Sequence, residues 1–338
     1  MKKLLEKLFD YQILSKEEAK LLLSGITEGQ LNDHQIVAAI SAIKMRAITA
    51  AELNGFREAI LEKAVKVDLD TSNAIDVCGT GGDGKNTFNI STLAAIVIAG
   101  AGYRVIKHGN YGVSSLVGSS TIIERCGYQF STDSQNLNEQ LSNTNLCFLH
   151  APLFHPALKK VAPIRKALAT RTFFNFLGPL VNPVQPEYQL TGVYNLQLMR
   201  IYKTILSNER KGFKIVHSMD GYDEVSLTGP FKVAANNEEL ILYPKDLNQD
   251  KLFELDLFGG EAVEDSEEIF NNILDGNGTQ EQNAVVLTNA ALGIQCFDAN
   301  KSFLSAYEEA EKALLSGKSR NNFNQCITLS KITKSIPQ

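Results

Sequence analysis

The sequence has no surplus of basic residues, no paired cysteines, no long apolar run and no low-complexity tract. Lys and Arg number 33 against 38 Asp and Glu, a formal net charge of −5. Non-specific nucleic-acid binding rests on a basic surface and is not expected. The five cysteines, Cys78, Cys126, Cys147, Cys296 and Cys326, are scattered and odd in number. Without C-x-x-C spacing, neither a zinc cluster nor a disulfide framework is expected, and a reducing cytoplasm fits. No run approaches the ~18 apolar residues of a membrane span. The opening MKKLLEKLFDYQILSKEEAK is interrupted by Glu6 and Asp10, so no secretory signal is expected. What remains is 338 residues, 44% hydrophobic and 21% charged, enough core material for one large domain and a smaller one.

Residues 1–66 carry no strand pattern and read as helices. Leu4, Leu5, Leu8 and Phe9 recur at helical spacing. Ser15 with Glu18, and Thr49 with Glu52, form capping boxes ahead of apolar runs. Ile36, Ala39, Ile40 and Ile43 share one face of a helix over 35–44. A helical packing module that supports a site or a subunit contact is expected. From about Val67 the pattern alternates. AIDVC (74–78), YRVI (103–106), CFLHAP (147–152), YQLTGVYN (188–195), KIVHSMDG (214–221) and EELILYP (238–244) read as strands. STLAAIVIAGA (91–101), NAVVLTNAALGIQ (283–295) and LSAYEEAEKALLSG (304–317) read as helices. The predicted class is α/β: a small all-helical N-terminal domain plus a larger α/β domain with a mostly parallel central sheet. Ligands of such sheets bind beyond the carboxyl ends of the strands. The stretch 162–183 starts as a helix, then holds Gly178, Pro179 and Pro183; an interdomain crossover and an ordinary loop both fit.

The richest segment is 74–119. A strand ends in four glycines within six residues, Gly79, Gly81, Gly82 and Gly84, and a helix follows. Such a loop lets backbone amides approach an anion, and the helix N-terminus adds unpaired N–H groups. GTGGDG matches the dinucleotide pattern, but the next strand ends in Lys107 and His108, where a ribose needs an acidic acceptor. A nicotinamide site is therefore rejected and an anion site kept. Gly84-Lys85-Asn86 lacks the hydroxyl of a Walker A loop. Asp83 either accepts from ribose hydroxyls or holds the loop through backbone amides. Ser91 and Thr92 stand where the helix begins, as caps, as phosphate or metal contacts, or as both. DGYDEVS (220–226) brings Asp220, Asp223 and Glu224 together at a strand end, either as a solvated acidic turn or as ligands of a magnesium–diphosphate. Arg165, ten residues after His155, has the fork that grips a carboxylate.

Together these strings resemble the anthranilate phosphoribosyltransferase family. The matching blocks are CGTGGDG (78–84), TFNIST (87–92), KHGN (107–110), the serines 114–115 with Gly118-Ser119, HPALKKVAPIR (155–165), RTFFNFLGPLVNP (171–183) and DGYDEVS (220–226), in the family's order over nearly the whole chain. The resemblance implies transfer of the 5-phosphoribosyl group from 5-phosphoribosyl 1-diphosphate to the amine of anthranilate, in tryptophan biosynthesis. Gly79, Gly82, Asp83, Thr87, Asn89, Ile90, Ser91, Thr92, Lys107, Ser115 and Ser119 would bind the sugar diphosphate, under a loop from Lys107 to Ser115. Gly79, His108, Asn110, His155 and Arg165 would meet anthranilate, and Ser91, Asp223 and Glu224 would hold Mg2+. Lys107 and His108 would lend electrostatic support, with no general base assigned. The implied domains are a helical one over 1–66, with 165–185 packing on it, and an α/β one over 67–164 and 186–338. A homodimer through the helical domain is implied, with no nucleic-acid or membrane partner.

This chain departs from the family's usual Gly-Ser-Ala-Asp with Gly118-Ser119-Ser120-Thr121, has Leu116 where a basic residue is common, and has Ala169 where Gly is common. Two rivals share the fold: a pyrimidine nucleoside phosphorylase, and a non-catalytic nucleic-acid-binding relative. KHGN, the His155–Arg165 block and DGYDEVS favour the transferase over the first; the net charge and Arg165 oppose the second.

Overall fold

A computed structural model of the chain describes residues 1–112 and 117–332. The chain opens with helices α1 (Lys2–Phe9), α2 (Lys16–Glu28), α3 (Asp33–Met45) and α4 (Ala50–Glu62). Three of them start in closed capping boxes, Ser15 with Glu18, Asn32 with Gln35 and Thr49 with Glu52. The sequence pattern anticipates the first and third. Leu22, Leu23 and Ile26 of α2 are buried, as are Leu53, Phe56 and Ile60 of α4. Phe9, expected on the apolar face of α1, is exposed.

The α/β part begins with β1 (Ala74–Gly79), α5 (Ile90–Gly100), β2 (Arg104–Gly109), α6 (Ser119–Arg125), α7 (Ser134–Thr144) and β3 (Leu146–His150). Apolar residues on every side of α5 are buried, as a helix covered by α12 (Gln280–Ile294), α13 (Phe303–Leu315) and α14 (Lys318–Ser330) requires. Before those helices come α8 (Ala151–Phe154) and α9 (Ala162–Leu168), then β4 (Tyr188–Gly192), α10 (Leu196–Glu209), β5 (Gly212–Ser218), β6 (Phe231–Ala235), β7 (Glu239–Leu242) and α11 (Val263–Leu274). The seven strands form one sheet in the order β3-β2-β1-β4-β5-β6-β7. The first four pairings are parallel, and β5–β6–β7 is an antiparallel extension. Strand β6 carries no signal in the sequence reading.

The chain divides into two compact units: residues 1–66 with 151–183, and 67–150 with 184–338. The segment grouped with the helical unit thus begins at Ala151, ahead of the expected 165, and stops at Pro183. Hydrogen bonds tie it to the first part of that unit: Val65 N–H donates to Phe154 O (2.9 Å), and Arg57 Nε donates to Leu180 O (3.1 Å). Phe56 stacks on Phe173 at 4.3 Å. After α9 the bend of 169–183 is made of two short 3-10 turns, Phe173–Phe176 and Gly178–Leu180.

Candidate active site

Strand order reverses between β1 and β4, and in parallel sheets that crevice is where ligands bind. Both strands end there in glycine. A Cβ on Gly79 would strike the Asp223 carboxylate, and one on Gly192 would overlap the Asp223 main-chain carbonyl. The acidic loop after β5 therefore lies directly over both strand ends. Gly81, Gly82 and Gly84 take φ of +64°, +75° and +80°, which L side chains rarely adopt. Gly81 N–H donates to Asp223 Oδ2 (2.7 Å), and Lys85 N–H donates to Asp83 Oδ1 (3.0 Å). Of the two roles read for Asp83, the backbone turn is thus present.

The acidic loop is braced from behind. Ser218 Oγ donates to Glu224 O (2.6 Å), while Asn289 of α12 donates to Val225 O (2.9 Å) and accepts from Val225 N–H (3.2 Å). The tip of the glycine loop is clamped by Lys85, which sits 4.5 Å from the Tyr222 ring centroid and 3.0 Å from Glu254. Main-chain bonds from Gly259 to Asn86 (2.8 Å) and from Phe88 to Leu257 (3.1 Å) hold the segment that follows. Asp76, Ser218 and Asn289 had no functional reading in the sequence; Lys85 was weighed only as a Walker A lysine, and Tyr222 only as part of the DGYDEVS block. Asp76 could have been noticed as a carboxylate inside an apolar strand.

The electrostatics are unbalanced. Asp223 is only 5% exposed; burial, then the neighbouring Asp83, pushes its carboxyl up to about 7. Burial, Asp223 and Asp83 raise Glu224 well above the usual carboxylate range, with Lys107 pulling the other way. Glu224 Oε2 is buried with no hydrogen-bond partner among the described residues. Lys107 is itself buried; its ammonium donates to Val77 O and lies 3.4 Å from Ser91 Oγ, and burial draws its pKa down. No three His, Cys, Asp or Glu side chains among the described residues are disposed to hold a metal unaided. Crowded carboxylates with an unpartnered oxygen suit a hard cation that keeps waters and phosphate oxygens as its other ligands, so the residues fit magnesium.

The N-terminus of α5 faces the same chemistry. Its N-cap is Asn89, whose side chain donates to Val117 O (3.1 Å) instead of capping. The capping role read for Ser91 and Thr92 is therefore corrected: the helix starts one residue earlier, and no side chain caps it. Thr92 Oγ1 is buried with no partner among the described residues. At the end of β2, His108 N–H donates to Asp76 Oδ1 (3.1 Å). Asn110 is exposed; its carbonyl accepts from Ser119 Oγ (3.2 Å) and Ser120 N–H (3.1 Å). Ser115 and Leu116, and with them the far part of the expected closing loop, lie outside the described residues.

His155 and Arg165 belong to the helical unit, and the other expected substrate contacts to the α/β unit. His155 is buried with Nε2 2.8 Å from Val181 O, and burial pulls its pKa down to about 4. Arg165 is half-buried, its guanidinium 5.3 Å from the Phe174 ring centroid; burial lowers its pKa.

Residues 71–320 match the glycosyl transferase family a/b domain, and residues 2–64 the glycosyl transferase family helical bundle domain. The anthranilate phosphoribosyltransferase of Flavobacterium johnsoniae is 51% identical over 318 residues, 94% of this chain and 96% of the relative. The chain belongs to the anthranilate phosphoribosyltransferase family. The anthranilate phosphoribosyltransferase of Bacteroides fragilis is 48% identical, across 97% of this chain and 99% of its own. Among solved structures, the anthranilate phosphoribosyltransferase of Thermus thermophilus superposes with a TM-score of 0.91 at 27% identity, covering 97% of this chain and 99% of that one. The anthranilate phosphoribosyltransferase of Saccharomyces cerevisiae, in complex with PRPP and Mg, superposes with a TM-score of 0.90 at 25% identity over 97% of each chain.

Proposed function

We propose that this chain transfers the 5-phosphoribosyl group of 5-phosphoribosyl 1-diphosphate to the amine of anthranilate, giving N-(5-phosphoribosyl)anthranilate and diphosphate, the second step from chorismate in tryptophan biosynthesis. The observation that carries the reading is the crevice between β1 and β4: glycine-loop amides, an uncapped helix N-terminus, a buried lysine and two crowded carboxylates meet there. In this reading the anthranilate nitrogen attacks the anomeric carbon, the bond to the diphosphate oxygen breaks, and the bonding pair leaves with diphosphate. The nitrogen sheds its proton afterwards, to water or to a phosphate oxygen. The residues bind and orient. The glycine loop, Thr87, Asn89 and the start of α5 would hold the phosphates, and Lys107 would supply positive charge from below. Ser91, Asp223 and Glu224 would hold magnesium, which when bound offsets the charge of the leaving diphosphate. Holding two reactants in line is worth up to ~7–11 kcal/mol in ideal systems, so no covalent nucleophile is needed.

Arg165 would grip the anthranilate carboxylate. Losing a charged hydrogen bond costs about 1.5–3 kcal/mol, so Arg165→Ala should raise the KM for anthranilate by about tenfold to a hundredfold and leave that for the sugar diphosphate nearly unchanged. An equal rise in both would remove Arg165 from that role. The function itself is tested by following loss of anthranilate fluorescence with the ribosyl donor, with and without magnesium. Phosphate-dependent cleavage of thymidine or uridine, with anthranilate untouched, would make the chain a nucleoside phosphorylase instead.

A homodimer through the helical unit is part of the proposal, supported by the exposed Phe9, Tyr11, Ile13, Leu21 and Met45. Light scattering that finds a monomer at micromolar concentration would overturn it. A cytoplasmic home is supported by five free cysteines, four of them buried. No helix among the described residues is long and apolar enough to cross a membrane.

A further inference from the structure

His150, the last residue of β3, stands beside Gly109 at the end of β2 in the parallel register. Its ring is stacked on Phe130 at 4.8 Å and met edge-on by Tyr111 at 4.6 Å, and its Nδ1 is hydrogen-bonded to Ser120 Oγ at 2.8 Å. Tyr111 carries the connection on: its hydroxyl donates to Glu124 Oε1 of α6 (3.0 Å). The two serines that open α6 divide the work. Ser119 Oγ bonds both the N–H (3.3 Å) and the carbonyl of Asn110, and Ser120 holds His150. Asn110 Oδ1 accepts from Tyr111 N–H (2.8 Å), so the main chain and side-chain oxygen of Asn110 are all engaged. Its amide nitrogen takes part in none of these bonds. Asn110 and Tyr111 are nevertheless exposed, and the Tyr111 ring meets the buried His150 ring edge-on.

We propose that Tyr111 and His150 are positioning residues: the Glu124–Tyr111–His150–Ser120 ring holds Asn110 in place for the acceptor amine. This rests on the transferase reading above, in which Asn110 meets anthranilate. Neither Tyr111 nor His150 touches the reacting atoms in this scheme. They act through the backbone of 109–112, which local opening would otherwise disorder.

The test has two readouts on the full chain. Amide hydrogen exchange of the substrate-free protein, read on peptides covering 107–112, should quicken by about tenfold in Tyr111→Ala, the upper size for loss of one hydrogen bond from a locally opening segment. The conservative Tyr111→Phe, which keeps the ring against His150 and loses the Glu124 bond, should fall between. His150→Phe keeps the stack on Phe130 and loses the Ser120 bond, and should behave like Tyr111→Phe. In turnover assays the KM for anthranilate should rise several-fold in Tyr111→Ala, clearly more than the KM for the sugar diphosphate, with the melting temperature unchanged. Unaltered exchange in Tyr111→Ala, or a parallel rise of both KM values, overturns the proposal. If the wild type lacks transferase turnover the function reading falls, while the exchange data still judge the ring on its own.

Discussion

Glu52 in the helical unit and Asp223 in the α/β unit are both buried carboxylates, 0% and 5% exposed, and they are treated in opposite ways. Burial pushes Glu52 up, but Arg46 (3.0 Å), Leu14 N–H (3.0 Å) and the Thr49 N–H and hydroxyl (each 3.0 Å) outweigh it and hold its pKa below the usual range. Asp223 receives one backbone N–H and two acidic neighbours, and its pKa rises. Helix ends repeat the contrast. α2, α3 and α4 close on themselves through capping boxes, whereas α5 is left open. The Glu52 carboxylate has its demands met internally and so stabilises the fold. The Asp223 site leaves a negative cluster with an unpartnered Glu224 oxygen beside a helix that no side chain caps, an arrangement that a cation and an anion relieve together.

The largest effect should come from breaking the satisfied site. Glu52→Ala strands a buried guanidinium, a loss worth about 3–5 kcal/mol in comparable pairs, and urea unfolding should register it. A change below about 1 kcal/mol would mean that Arg46 finds water or another partner. Next, Asp223→Asn with Glu224→Gln should weaken magnesium dependence by about a hundredfold, the upper range for disturbed metal surroundings. An unaltered magnesium titration would end the comparison at its functional side.

Asp223→Asn alone should sharpen the contrast through pH. The folded carboxyl keeps its proton to about 7, whereas the unfolded one loses it near ~3.9, so stability without divalent ions falls as pH rises between those values. The amide removes that penalty. The variant should be more stable than wild type by on the order of 4 kcal/mol at pH 8 in chelator, and nearly equal to it near pH 4. Equal stability at pH 8 would show that the acidic loop relaxes at no cost. Glu52 has the opposite sign: its contribution is present above the unfolded range near ~4.3 and is lost as pH falls through its lower folded value. The smallest effect belongs to the caps. Ser15→Ala should cost ~1 kcal/mol in thermal melts, and no measurable loss would show that the cap of α2 is idle.

Much of this was legible along the chain, because it is local. The boxes at Ser15 and Thr49, the strands AIDVC and KIVHSMDG, and the glycine loop are all set by neighbours a few residues apart. The resemblance to a family drew the same strings into one site. What stayed hidden joins distant positions. Glu52 reads as a capping residue, and nothing near it announces Leu14 N–H, 38 residues away. Asn289 sits in an ordinary apolar helix until its amide is seen on Val225, 64 residues earlier. Strand β6 shows no clean alternation, since it is ordered by its pairing with β5. Ser120 read only as a departure from pattern, and gains a meaning from His150.

The interrupted makeup of the helical unit bears on how the protein is born. Its first part, 1–66, leaves the ribosome before any strand does, and the segment 151–183 that completes it emerges only after β3. Until then the Phe56 ring has no Phe173 to stack on, and Arg57 has no Leu180 carbonyl. The nascent bundle must therefore wait, with its closing face bare, while three of the five parallel strands are translated. That interval is when a chaperone would find it.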